Sequence, residues 1–593
     1  MKSLMSFLQY VLKDLGTWCH TSTTRDFKTI SRRVEDEGLS FLTITLANFG
    51  KDFQKSLDQG YVGSDQFVGF QRSGGLPLFL EGFLCRVFDP KTGRLVNEPD
   101  ITCIWAIRQL TLMWAKINLP CTKARERKAI ESYIDTERCV RDSDSALPDN
   151  VLMDFHRVSM LLWADILSVV DKAIYDGDMI PAHGPGATAD HLAGNSKWSQ
   201  SEYTERLDKI FPVGDYLLPS WRHYQSLSAF HSLSPEEERP VKVILVPKTQ
   251  KTPRVIAMEP TCMMFMQQGI AALISKAVSQ NDTARQLIST LDQIPNQEMA
   301  REGSLYGNLA TLDLSEASDR VSNQHVRALL ARFPWTFQAV DACRSRKADV
   351  RGVGVIRLAK FASMGSALTF PIEAMVFTTI VFLGIEKELK RPLTKKDVQS
   401  FLGRVRVYGD DIIVPVDFVE KVTETLETFG LKVNSDKSFW TGKFRESCGK
   451  DFYFGEDISI TKVREVFPTH RSDVPEIIST SSLRNQLYKA GLWESARFLD
   501  ELLSKLIPYP TVGEESPAIG RHSFLGYETQ RSCPNTHRPL VKAMVVKATL
   551  PKNSLDGIAA LLKVFSIHGE MPIADEEHLK RSGRPRAVDI KPR

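Results

Sequence analysis

The stretch RVRVYGDDIIVPVD, residues 404–417, constrains the fold more than any other part of the chain. Val405 and Val407 alternate as on one strand and Ile412 to Val416 read as a second, with Tyr408-Gly409-Asp410-Asp411 between them. This pattern predicts a β-hairpin with two acids at its tip. Gly409 allows a turn that a residue with a Cβ resists. Adjacent ionised carboxylates repel, so a rigid turn holding two calls for a cation or a shifted pKa. The alternative is a plain turn whose acids are simply hydrated.

A second acidic segment, NLATLDLSEASDRVSNQHV, bears on that choice. Leu309 to Leu314 is strand-like, with Asp313 near its end and a helix-start pattern after it. A third carboxylate from a neighbouring strand completes an oxygen-ligand set suited to hard ions such as magnesium, with manganese as a substitute. Two such ions clamp the attacking and leaving oxygens of an in-line phosphoryl displacement, which is the chemistry of nucleotide addition. Asp313, Asp410 and Asp411 are thus the candidate catalytic and metal-binding residues.

Ser318 and Asp319 follow Asp313, and no aromatic residue lies between Leu314 and Val321. An aromatic ring there clashes with a ribose 2′-hydroxyl, whereas polar side chains can hydrogen-bond to it, which favours ribonucleotides. Alternatively Asp319 caps or salt-bridges a helix. Further on, FASMGSALTFPIEAMVF offers a small-residue loop before an apolar helix. There Gly365 permits close backbone approach to a template, and Ser363, Ser366 and Thr369 supply short polar contacts. In VKVILVPKTQKTPRVIAMEP, a turn over 249–253 is expected to converge Lys248, Lys251 and Arg254 on the triphosphate of a nucleotide, or else to form a solvated basic turn. Lys437 and His183 stay open: the first as a group near pyrophosphate, a support for the edge of the catalytic sheet or a surface lysine, the second just before a Gly184-Pro185-Gly186 turn whose function does not follow from chemistry.

Composition restricts the class less sharply. At 593 residues the chain has room for several packed subdomains. With 42% hydrophobic and 25% charged residues it reads as globular, not fibrous or disordered. A net charge of only +4 means that any nucleic-acid surface must come from local clustering. The nine cysteines have no C-x-x-C pair, which suits a reducing compartment and argues against a disulfide framework or structural zinc. The N-terminal twenty residues read as an amphipathic helix interrupted by Lys13 and Asp14, not as a signal peptide. The longest apolar run, Ala374 to Ile385, is too short to span a bilayer, so no membrane association is expected. The tail RSGRPRAVDIKPR, with Arg581, Arg584, Arg586, Lys591 and Arg593, reads as a solvated terminus or an auxiliary RNA contact.

Taken in order, HGPGA (183–187), VPK with KTPR (246–254), DLSEASD (313–319), SMGSALTF, YGDD and FRESCG (444–449) resemble the replicase catalytic subunit of single-stranded RNA bacteriophages, the leviviruses. The resemblance implies an RNA-directed RNA polymerase of α+β class with fingers, palm and thumb. It places an N-terminal helical region supporting fingers and thumb at 1–235, a fingers segment at 236–304, the palm at 305–460 and the thumb with its basic tail at 461–593. It further implies magnesium dependence, initiation without a protein primer, and work on an RNA template with ribonucleoside triphosphates in the cytoplasm of an infected bacterium. Implied partners are host elongation factors Tu and Ts and a ribosomal small-subunit protein. Glu373 departs from the wider viral pattern, which has Asn four residues after the motif threonine, here Thr369. A reverse transcriptase of the intron or retroelement type, or a non-catalytic RNA-binding protein with a palm-like core, are the competing readings.

Overall fold

The helical spacing at the N-terminus forms α1 (Lys2–Trp18), which buries Phe7, Leu8, Val11, Leu12 and Leu15. In the computed structural model, which describes residues 2–549, 554–566 and 587–592, α1 is followed by α2 (Thr24–Glu37), α3 (Leu46–Gln59) and α4 (Ile101–Leu112). Their apolar faces join a core that also contains Phe439, Phe444, Tyr453, Leu483, Leu487 and Leu499. The first hundred residues therefore pack on the last third of the chain. Asp14, which seemed to interrupt the apolar pattern, is part of that union. Its carboxylate accepts from the Glu494 and Ser495 amides at 3.1 and 2.8 Å, satisfying amide donors at the start of the helix Trp493–Ser504 that its own hydrogen bonds leave unpaired.

Next come α5 (Lys123–Ala146), α6 (Asp149–Tyr175), β1 (Val241–Val246), β2 (Arg254–Met258), α7 (Thr261–Gln280), α8 (Ile294–Tyr306) and β3 (Leu309–Ser315). They are followed by β4 (Lys347–Val350), β5 (Gly354–Arg357), α9 (Thr369–Leu389), β6 (Arg406–Tyr408), β7 (Asp411–Pro415), α10 (Val419–Thr428) and β8 (Lys432–Val433). One four-stranded sheet has the order β6-β7-β3-β8 and is antiparallel throughout. Another runs β2-β1-β4-β5, with β1 and β4 parallel. The β-branched residues of the first sheet alternate sides, so Leu312, Ile412 and Val414 meet α6, α7 and α9 in the largest core.

By length and composition α9 could cross a bilayer, which the short run Ala374 to Ile385 did not suggest. Its most apolar stretch is 89% buried inside the protein, and a helix enclosed on all sides is apolar all round. Beyond β8 lie β9 (Phe444–Ser447), β10 (Lys450–Tyr453), α11 (Val474–Lys489), α12 (Trp493–Ser504), β11 (Met544–Thr549), α13 (Gly557–Ser566) and β12 (Ala587–Pro592). Of the basic tail, Arg581, Arg584, Arg586 and Arg593 lie outside the described residues. Lys591 is not in a solvated coil: it stands in β12 opposite Val545 of β11.

Candidate active site

The strand register assembles the acids. In the β6–β7 hairpin Tyr408 faces Asp411, so the two-residue loop is Gly409-Asp410 and Asp411 opens the second strand instead of sharing the tip. Gly409 has φ +59°, and a Cβ there would meet the Phe370 ring at 2.7 Å. That ring packs edge-on against Tyr408, with centroids 5.1 Å apart, and so holds the turn from the α9 side. Between β7 and β3 the pairing sets Asp411 directly opposite Asp313. Asp411 and Asp313 thus lie side by side on adjoining strands, and Asp410 stands in the turn next to Asp411.

Their electrostatics follow from that convergence. Burial, with the charges of Asp410 and Asp313, pushes the Asp411 carboxyl up to about 6, against a hydrogen bond from the Cys448 amide that opposes the shift. Burial also raises Asp313, while Lys437 works the other way. Lys437 donates to Asp313 Oδ1 at 3.1 Å and Asn434 to Oδ2 at 2.8 Å, and the Asp313 amide donates to Ser438 Oγ at 3.1 Å. Lys437 is thus a half-exposed lysine that is paired with an acid of the site. Asn434 and Ser438 were missed by sequence reasoning, although NSDKS lies beside the FRESCG segment that was read.

The donors are hard oxygens whose mutual repulsion favours a cation, which fits the expected magnesium. As arranged, Asp313 is spent on Lys437 and Asn434, and among the described residues no group of three or more His, Cys, Asp or Glu side chains is disposed to hold a metal ion. The chemistry of the set suits a divalent ion.

The basic turn forms as expected, with Val246 opposite Arg254 across the β1–β2 hairpin, but it does not gather all three cations. Burial lowers the Lys248 ammonium, and Arg254 and Lys437 beside it add to the effect, while Asp410 and Asp313 oppose it. Lys248 therefore lies within electrostatic reach of the acids, with Arg254 beside it. Lys251 instead reaches Asn48 of α3 at 3.4 Å.

The remaining candidates are committed to internal contacts. Asp319 receives buried Lys360 at 2.8 Å, so its first role is the salt bridge that was the alternative reading. Lys360 also lies 3.5 Å from the Tyr133 ring centroid and 3.4 Å from Glu137, and these groups outweigh burial to raise its ammonium. Tyr133 and Ser363 hydroxyls meet at 2.8 Å, and Thr369 Oγ1 donates to the Ser363 carbonyl at 3.1 Å. Gly365 is required by close approach to β2: a Cβ would stand 2.0 Å from the Ala257 carbonyl oxygen. Ser318 donates to Glu373 at 2.8 Å, and burial pushes the Glu373 carboxyl up to about 8. His183 stacks on Phe265 at 4.3 Å with Trp198 edge-on, and burial brings its imidazole down to about 3, the signature of a packed ring.

Fold and site together define an α+β protein whose paired strands set Asp313 and Asp411 side by side with Lys437 on Asp313. Comparison with known proteins makes the class particular. Residues 230–479 match the family described as RNA replicase, beta-chain. The chain is 35% identical over 260 residues to the RNA-directed RNA polymerase subunit beta of Qbeta virus (strain MX1), covering 43% of this chain and 40% of that one. It is 37% identical over 219 residues to the RNA-directed RNA polymerase beta chain of Escherichia phage MS2, with 36% of each chain covered. With the corresponding subunit of Enterobacteria phage SP it shares 29% identity over 402 residues, 65% of this chain and 64% of that one. The matched stretches span less than two thirds of each relative's length. Among solved structures, the BmCPV RNA-dependent RNA polymerase at elongation state gives a TM-score of 0.36 at 13% identity, covering 60% of this chain and 34% of that chain, too slight a likeness to build on.

Proposed function

We propose that the chain is the catalytic subunit of an RNA phage replicase, an RNA-directed RNA polymerase that adds ribonucleotides without a primer. The observation that carries this reading is the pairing of Asp411 with Asp313 beside the Gly409-Asp410 turn, inside the segment that matches the replicase family. Asp313, Asp410 and Asp411 would hold magnesium, or manganese in its place. When bound, such ions neutralise charge on the attacking and leaving oxygens.

The chain's own groups divide the remaining work. Lys437 neutralises Asp313 until a ligand claims that carboxylate, and then stands free beside the phosphates. Lys248 and Arg254 offer the incoming triphosphate two cations. Ser318, which donates to Glu373, keeps lone pairs to accept from a 2′-hydroxyl. Asp319 and Lys360 fix the segment after Asp313 against the loop of Ser363, Gly365 and Thr369. On this reading residues 305–460 form the palm, 236–304 a fingers segment, 1–235 a helical support and 461–593 the thumb. Elongation factors Tu and Ts and a ribosomal small-subunit protein would assemble with it in the infected cell's cytoplasm.

The test is incorporation on a defined RNA template with ribonucleotides or deoxynucleotides, with and without host extract. Ribonucleotide addition from unprimed template is the expected result. Preferential deoxynucleotide incorporation supports the reverse-transcriptase reading instead, and RNA binding with no incorporation of either supports the non-catalytic one.

A further inference from the structure

A second basic region lies far from the acids in sequence and outside the segment matched to the replicase family. In α2 the residues Arg25, Lys28, Arg32 and Arg33 recur at helical spacing, while Asp26, Ile30 and Val34 are buried on another face. The four cations line one wall of a surface cavity of about 480 Å³, and Phe70 and Phe79 line the other, stacked with centroids 5.2 Å apart. No Asp or Glu lines it. Asp26 is turned away, accepting from the Leu80 amide at 2.7 Å. Arg33 pairs with Glu37 and lies over Phe70 at 5.3 Å, while Arg25 meets Glu81 only at 3.4 Å on the exposed surface. Lys28 and Arg32 form no ion pair among the described residues.

Lys28 and Arg32, exposed and unpaired beside the partly exposed Phe70 ring, match the needs of a single nucleic-acid strand for phosphate neutralisation and an aromatic contact. Phe70 lines a neighbouring cavity of about 650 Å³ together with Lys51, Lys55 and Lys251, where Asp52, Asp65 and Asp436 also stand. Asp52 is engaged by the Phe67 amide at 2.7 Å. Lys251 belongs to the same turn as Lys248, which faces Asp410 and Asp313.

We infer that the α2 groove binds the sugar-phosphate backbone of single-stranded RNA at a distance from the acid turn, holding a long template on its way to or from it. This inference rests on the reading that the chain copies RNA, but its test does not require catalysis. The full-length chain is titrated with RNA strands of roughly 30 and roughly 6 nucleotides over a range of salt concentrations, as wild type and as R25Q/K28Q/R32Q. For the long strand the slope of log affinity against log salt should fall by about 2, since each lost single-strand phosphate contact removes roughly 0.7. The slope for the short strand, which the acid-proximal cations alone accommodate, should stay as it is. R25K/K28R/R32K should restore the long-strand slope, which a folding defect would not allow. An unchanged long-strand slope in the Gln variant overturns the inference. So does loss of binding to anionic phosphatidylglycerol vesicles with RNA affinity intact, which would assign the groove to a membrane surface. Failure of nucleotide addition in the separate incorporation assay would count against the polymerase reading while leaving this binding result to stand.

Discussion

Asp313 and Asp319 sit six positions apart in one short acidic segment, and the protein treats them in opposite ways. Asp319 is answered from within by Lys360, a lysine with no exposed side-chain surface that also leans on Glu137 and the Tyr133 ring. Asp313 shares its space with Asp410 and Asp411, and Lys437 meets it from a half-exposed position at 3.1 Å. Buried charge fully paired inside the fold makes structure. Carboxylates gathered with their own kind and met by a half-exposed lysine are the arrangement on which the proposed active site rests.

Removing charge from the gathered cluster should cost activity and little else. Asp410→Asn, at an exposed turn position, is expected to lower nucleotide addition by roughly a thousandfold or more while moving folding stability by no more than about 0.5 kcal/mol. Turnover and urea denaturation on the same preparation check both halves, and full activity in the variant would dissolve the distinction. The paired cluster should behave in the reverse sense. Lys360→Met strands Asp319 and Glu137 without their cation and should destabilise the fold by about 3–5 kcal/mol, with much of the loss recovered on adding Asp319→Asn.

Glu373 sharpens the comparison because it belongs to neither type: it is a buried carboxyl kept neutral. Its proton is held to about pH 8, against an ordinary value of 4.5, so between those values the folded chain binds a proton that the unfolded chain has released. The stability this group contributes is therefore full below about pH 4.5 and is lost as pH rises through about 8. Glu373→Gln should flatten that part of the stability–pH curve, and an unchanged curve would mean that the carboxyl is ionised at neutral pH. The smallest effect is geometric. Gly409→Ala places a Cβ against Phe370 at positive φ and should cost about 1–2 kcal/mol, partly relieved by Phe370→Leu in thermal denaturation.

Much of the site was legible because it is local. The strand around Val407, the glycine at 409 and the strand ending near Asp313 are short-range signals that the structure realises, with Val405 just outside the strand Arg406–Tyr408. The purposes assigned to Gly365 and Lys251 were not legible. Gly365 needs its missing Cβ for β2, more than a hundred residues earlier, and Lys251 is drawn toward α3, about two hundred residues earlier still. Nothing in the spacing around either residue states which distant element it will face.

The sequence by itself determined the hairpin, the left-handed glycine turn, the mixed helix and strand order, and the presence of three acids near strand ends, since backbone preference and side-chain alternation act over a few residues. Only the tertiary structure decided that β7 would pair with β3 to set Asp411 against Asp313, that Lys360 would neutralise Asp319 while Lys437 met Asp313, and that Asp14 would cap a helix at the other end of the chain. Those outcomes depend on which charges are brought into one low-dielectric place by residues far apart in sequence. Periodicity fixes which face a residue lies on, but not what the fold will bring to that face.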